Sequence, residues 1–269
     1  MTWLLLTCSN LLLPSRERKE AVLPWITFSD RLNSMLRVFL QTLASLAFAG
    51  VVHAGIVSGE FELTGSSEAS VIRQKNYSGI VVWLEPVSGA SPQALRRTYT
   101  INQKNKRFTP HVQVMPVGSE LSLPNGDVIF HNAFSTFSGQ PFDTGLYPPG
   151  GTQKILFRRS GVVRIFCNIH SNMSAVVVVT PTPWFALSGK DGRFSITDVP
   201  AGEYQLRVWH ERSTEPTLKS LERRVRIGDT GTALGRFTLS ESGHVGLHHK
   251  NKLGKDYPAD SGPYLGSGK

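Results

Sequence analysis

Sulfur and long apolar runs are what this chain has least of. It carries 2 cysteines in 269 residues, Cys8 and Cys167. Two cannot build the disulfide framework of a small secreted domain or a four-cysteine zinc site. The longest apolar run, residues 38–52, holds about 15 residues, too short for a comfortable membrane span. No tract of like charge occurs, although Lys+Arg outnumber Asp+Glu by 29 to 20. That spread excess serves solubility and draws the chain toward acidic proteins or anionic surfaces. Without a basic stripe carrying interleaved aromatics, nucleic-acid binding is not expected. Internal repeats, coiled-coil heptads and low-complexity blocks are also missing.

What is present near the start is an export plan. Residues 35–54 read MLRVFLQTLASLAFAGVVHA. Arg37 precedes the apolar run, and Val52 and Ala54 stand where a signal peptidase needs modest side chains. The reading is a signal peptide with cleavage after Ala54 and export of the remaining chain. Residues 1–34 then precede a leader, so Met35 reads as the true initiator and 1–34 as an over-called start. The alternative is an earlier membrane anchor, WLLLTCSNLLL, with Cys8 as a lipid site. Cleavage after Ala54 removes Cys8 and leaves Cys167 alone. A lone thiol in an oxidising compartment is a liability unless a metal occupies it.

From Gly55 onward the pattern is all-β. Gly 25 and Pro 16 suit short strands and turns better than a helix bundle. Residues 56–63 alternate in part, and 79–85 form an apolar run closed by Glu85-Pro86. Beyond a polar stretch, strands are predicted at 111–115, 120–123, 127–132, 154–157, 162–167 and 175–180. Turn signals such as Pro124-Asn-Gly126 and Pro148-Pro-Gly-Gly151 separate them, as in a sandwich or barrel. Pro181-Thr-Pro-Trp184 reads as a linker. Strands are predicted again at 203–209, 223–227 and 235–239, and the tail 241–269 is expected to be disordered.

The chemistry gathers in CNIHSNM, residues 167–173. Cys167, His170 and Met173 lie three residues apart between two predicted strands, so one tight loop can fold thiolate, imidazole and thioether around a point. A second imidazole must come from elsewhere. His131 stands at the end of a predicted strand, 36 residues before Cys167, and Asn132 beside it can pin the ligand loops. Two histidines, one cysteine and a weak axial methionine form the ligand set of blue copper.

These motifs resemble the plastocyanin-like cupredoxins. The resemblance rests on PN-x-D-x(3)-HN-x-FS from Pro124, Phe142-Asp143-x-Gly145-x-Tyr147 and C-x(2)-H-x(2)-M, with Phe108-x-Pro110 and Gly118 upstream. It covers about residues 100–180, and the loop spacing is similar to that of amicyanin. It implies a Greek-key β-sandwich over 98–180 that binds one type 1 copper through His131, Cys167, His170 and Met173. It further implies a monomeric, non-enzymatic carrier of one electron between periplasmic redox partner proteins, like those named for methylamine utilisation. In such proteins the loop histidine, here His170, is the exposed edge through which electrons leave. Where that family usually has proline before this histidine, Ile169 stands here, and its N–H is expected to reach the sulfur.

A second sandwich is expected over 181–240. Asp191-Gly-Arg-Phe194, Val199-Pro-Ala-Gly202 and Tyr204-x-Leu206-x-Val208 resemble carboxypeptidase regulatory-like or transthyretin-like domains. Residues 55–97 can supply its first strands, which would make it a split sandwich with the copper domain inserted; two consecutive domains plus an N-terminal strand pair is the simpler rival. His210-Glu211 reads as a rim histidine and its neighbour rather than a second metal pair, and His244, His248 and His249 as part of a solvated tail. Two alternatives to electron transfer stand: copper storage or trafficking, and a structural sandwich with a vestigial site.

Overall fold

The computed structural model describes residues 54–89, 95–137, 139–244 and 250–257. The expected signal peptide, apart from Ala54, and residues 1–34 lie outside them, as do His248 and His249. Among the described residues no helix is long and apolar enough to cross a membrane.

Strands β1 (Ala54–Thr64) and β2 (Val81–Pro86) flank a short helix, α1 (Ala69–Gln74). Then come β3 (Thr98–Thr100), β4 (Asn102–Lys104), β5 (Arg107–Thr109), β6 (Val112–Pro116) and β7 (Glu120–Pro124). They are followed by β8 (Phe134–Ser135), β9 (Phe142–Asp143), β10 (Thr152–Leu156), β11 (Gly161–Phe166) and β12 (Ser174–Thr180). The chain continues through β13 (Phe185–Leu187), β14 (Arg193–Pro200) and β15 (Gly202–Trp209). It closes with α2 (Glu215–Leu221), β16 (Arg223–Ile227) and β17 (Thr232–Ser240).

These strands form two sandwiches. In the first, the sheet β14-β1-β17 faces the sheet β13-β2-β15-β16. Alternate residues of both sheets meet in one core that includes Val57, Phe61, Leu84, Phe194, Leu206 and Phe237. The N-terminal strands β1 and β2 thus pair with strands that follow residue 184. Gly192 makes the sharp entry into β14: its φ is +80°, and a Cβ there would sit 2.0 Å from the Phe61 carbonyl oxygen.

In the second, the sheet β6-β12-β11-β8-β9 faces β10-β7-β3, with β4 and β5 as a separate hairpin. Its core holds Ile101, Leu121, Leu123, Phe157, Val163 and Ile165. Strand β12, SAVVVVT, shows why an unbroken apolar run belongs here. Ala175, Val177 and Val179 point into this core. Val176 and Val178 point the other way, into a third apolar cluster with Val81, Val114 and the partly buried Trp83, Phe185 and Trp209. A strand covered on both faces has no polar side to alternate with.

Two expectations need correction. The strand predicted at 127–132 is a loop with only an isolated bridge at His131. Asn125 folds it: its Oδ1 accepts from the Asp127 N–H at 3.0 Å and its Nδ2 donates to the Ile129 carbonyl at 2.8 Å. This side-chain turn out-competes a ladder, and it leaves Val128 and Phe130 exposed at 89% and 53%. The tail expected to be disordered from Glu241 includes residues 250–257, which lie against the second sandwich through hydrogen bonds to Asn168, Asp143 and Cys167.

Burial of both faces of β12 makes an unusual demand on mutants. Aspartate at Val177 or at Val178 would leave an unpaired buried carboxylate, and each is expected to cost roughly 3–5 kcal/mol. Urea unfolding measures both. A near-neutral Val178→Asp would show that the second face is not covered.

Candidate metal centre

Two loops meet at one end of the second sandwich. Strands β11 and β12 pair antiparallel, with Phe166 opposite Ser174, so residues 167–173 form the loop between them. Within it the Cys167 N–H donates to the Met173 carbonyl at 3.1 Å, and the Met173 N–H to the His170 carbonyl at 3.1 Å. Phe166 also pairs with Phe134 of β8, which draws the segment just after His131 to the same end. The two loops are then joined directly, because the Asn168 N–H donates to the Asn132 side-chain oxygen at 2.6 Å.

His131, Cys167 and His170 converge: one ligand atom from each lies within 4.8 Å of the others. The Cys167 Sγ is 3.9 Å from His131 Nδ1 and 3.6 Å from His170 Nδ1. These separations fit a shared ion. Bonds of about 2.3 Å to sulfur and about 2.0 Å to nitrogen, opening at roughly 110–120°, put S and N about 3.5–3.7 Å apart. His131 and Cys167 have no exposed surface, whereas His170 is only partly buried. Met173 is fully buried in the same apolar cluster as Cys167. Cys167 is a free thiol. The donor set, one soft thiolate and two imidazoles beside a thioether, is that of a thiophilic transition metal.

His131 is held from both sides. Its N–H and carbonyl bridge to Tyr147, at 3.3 and 2.9 Å. Its ring Nε2 lies 2.8 Å from Asp127 Oδ2. A carboxylate there accepts a hydrogen bond from Nε2–H and leaves Nδ1 on the side of the sulfur, the usual role of an outer carboxylate on a metal-bound histidine. Asp127 is itself anchored by the β4–β5 turn. Asn105 and Lys106, both with φ of 55°, donate their N–H groups to its two oxygens at 2.6 and 2.9 Å. Burial alone would push the Asp127 carboxyl up, but the Lys106 N–H, the His131 ring and the Asn105 N–H bring it below the usual carboxylate range.

Tyr147 closes the floor. Its hydroxyl donates to the Leu123 carbonyl at 2.9 Å and is also hydrogen-bonded to Gln103. Burial, and after it the negative charge on Cys167, pushes its phenol well above the ordinary value, so it stays a neutral donor.

The four residues singled out from the sequence therefore sit at one end of one sandwich. Three have ligand atoms in mutual reach, and Met173 is placed beside Cys167 by backbone bonding. Asn132 does join the two loops. No hydrogen bond from the Ile169 N–H to the sulfur is found among the described residues, and Ile169 is 45% exposed. Asp127 was visible in the motif, four residues before His131, but had no role until its carboxylate was seen on the ring. His210 is not a rim residue: it is buried with its Nε2 2.7 Å from Glu241 Oε1, while Glu211 bonds His111 and Arg164 instead.

No protein-family model matches this chain, and no curated protein does. Among solved structures it is similar to a purple cupredoxin from Nitrosopumilus maritimus, with 22% identity over 30% of this chain and 98% of that one, at a TM-score of 0.28. A Cu(I) structure of an amicyanin variant shares 14% identity over 31% of this chain and 82% of that one, at a TM-score of 0.30. A Cu-containing nitrite reductase from Thermus scotoductus shares 25% identity over 36% of this chain and 25% of that one, at a TM-score of 0.30.

Proposed function

We propose that this chain is an exported type 1 copper protein that carries one electron at a time between periplasmic redox partners. It does so without catalysing a reaction of its own. The observation that carries the reading is the convergence of His131, Cys167 and His170 on one point, with Met173 buried alongside.

Copper bound there supplies a one-electron couple between Cu(I) and Cu(II). This chain's own residues do the rest. Cys167 would supply the sulfur ligand to the ion. His131 and His170 give imidazole nitrogens suited to both oxidation states. Met173 offers a weak thioether. Burial of His131, Cys167 and Met173 keeps water away, so little has to rearrange when the charge changes. Asp127 and Asn132 hold the donors in place in either state. His170, partly buried, is the ligand nearest the surface and the route for the electron.

Loading the full-length protein with Cu(II) tests this. One copper per chain, an intense visible band from the sulfur–copper bond and a reversible one-electron wave are expected, and Cys167→Ser should abolish the band. Cu(I) binding without the band or wave would instead indicate storage or trafficking, and no stoichiometric copper would end the metal reading. Asp127→Asn takes the carboxylate from the His131 ring and should weaken Cu(II) binding about 10–100-fold. Competition with a chelator of known affinity measures this, and unchanged affinity would remove Asp127 from the site.

A further inference from the structure

Residues 250–257 lie along the outside of the ligand loop, touching it at two points and the neighbouring strand β9 at a third. The Tyr257 hydroxyl donates to the Cys167 carbonyl at 2.7 Å. The Lys252 N–H donates to the Asn168 side-chain oxygen at 2.9 Å. The Lys252 ammonium lies 2.7 Å from Asp143 Oδ2. Asp143 in turn accepts from the Gly145 N–H at 3.0 Å and, at 3.4 Å, from the side chain of Asn132 beside His131.

These contacts complete a set on one short stretch of backbone. Cys167 is tied inward by its N–H to Met173 and outward by its carbonyl to Tyr257. Asn168 is tied inward by its N–H to Asn132 and outward by its side chain to Lys252. The residue carrying the sulfur and the one after it are thus clamped between the other ligand loop and the C-terminal segment. Two side chains of the segment are chemically suited to this. The Tyr257 hydroxyl carries a proton it can donate to the Cys167 carbonyl. Burial would raise the Asp143 carboxyl, but the Lys252 ammonium and the Gly145 N–H hold it below the usual range, so the pair stays charged. The turn that aims these groups is built locally, with Asn251 Oδ1 accepting from the Leu253 and Lys255 N–H groups at 2.9 and 3.1 Å.

We propose that Tyr257 and Lys252 are positioning residues of the metal centre, and that the C-terminal segment 250–257 is a strap that sets the geometry of the Cys167 ligand loop. The proposal rests on the reading of His131, Cys167, His170 and Met173 as a copper site. A strap of this kind acts on the thiolate through the peptide group attached to it. It narrows the directions the Cys167 side chain can take before metal arrives, and it resists relaxation of the sulfur afterwards. It also ties the sulfur's environment to residues far along the chain, at the opposite end from the export signal.

The test compares the full-length chain with Tyr257→Phe, Lys252→Ala and a version ending at residue 249. Hydrogen exchange is followed over 166–173 in metal-free protein, together with thermal unfolding. Exchange at 167–170 should rise roughly fivefold in Tyr257→Phe, about what losing one ordinary hydrogen bond permits, and further in the shortened chain. The unfolding temperature should hardly move, because no core side chain is touched. In the copper-loaded proteins the sulfur–copper band should shift and copper should leave faster in the same order, whereas a merely structural strap would lower the unfolding temperature and leave the band in place. Unchanged exchange at 167–170 after removal of the segment overturns the proposal. If the parent chain takes up no copper, the copper reading fails, and the exchange result alone then decides whether the strap holds the loop.

Discussion

The hydrogen bond from the Asn168 N–H to the Asn132 carboxamide is the contact on which the candidate centre depends. One histidine donor follows a loop without regular structure, and the other three donors sit on a turn 36 residues later. The sandwich brings both to the same end, but strand pairing only sets their neighbourhood to within a residue's width. A short polar tie between the residue after His131 and the residue after Cys167 fixes the remaining freedom. An ordinary bond of this kind contributes only about 0.5–1.5 kcal/mol to stability. Its effect on geometry is larger, because an ion with bonds near 2 Å is sensitive to displacements of a few tenths of an ångström.

Around that tie the protein is stiff in layers. Inside it, Tyr147 and Asp127 hold His131 by backbone and ring. Beneath it, β12 is packed on both faces, against its own core and against the cluster shared with Trp83 and Trp209. The ligand loop therefore springs from a strand that has little room to shift. Two carboxylates near the site are held, Asp143 by Lys252 and Asp127 by the backbone N–H groups of the β4–β5 turn. This limits the polar rearrangement that a change of charge at the centre would otherwise drive.

Much of this was legible in the residues, and the exceptions have physical causes. Period-two patterns and Gly/Pro turns located the longer strands. The apolar run of β12 stood out because a doubly covered strand has no polar face. Cys167, His170 and Met173 were readable because their spacing is local. His131 was picked as the histidine ending a predicted strand beside Asn132, although the segment proved to be a loop. The segment 127–132 misled because Val128, Ile129 and Phe130 mimic a strand, although Asn125 captures its backbone and two of these side chains face solvent. Short strands such as β3, β4 and β5 hide in polar sequence because they depend on partners, not on their own hydrophobicity. The placement of 250–257 was invisible for a different reason: Lys252 and Tyr257 are ordinary tail residues until the fold brings Asn168 and Cys167 to meet them.

The central claim is that four side chains share one copper ion. X-ray absorption at the copper edge of the loaded full-length protein tests it most directly. One short sulfur and two imidazole nitrogens are expected in the nearest shell, with any second sulfur distant and weak, and the short sulfur should be lost in Cys167→Ser. A first shell of nitrogen and oxygen alone, unchanged by that substitution, would contradict it.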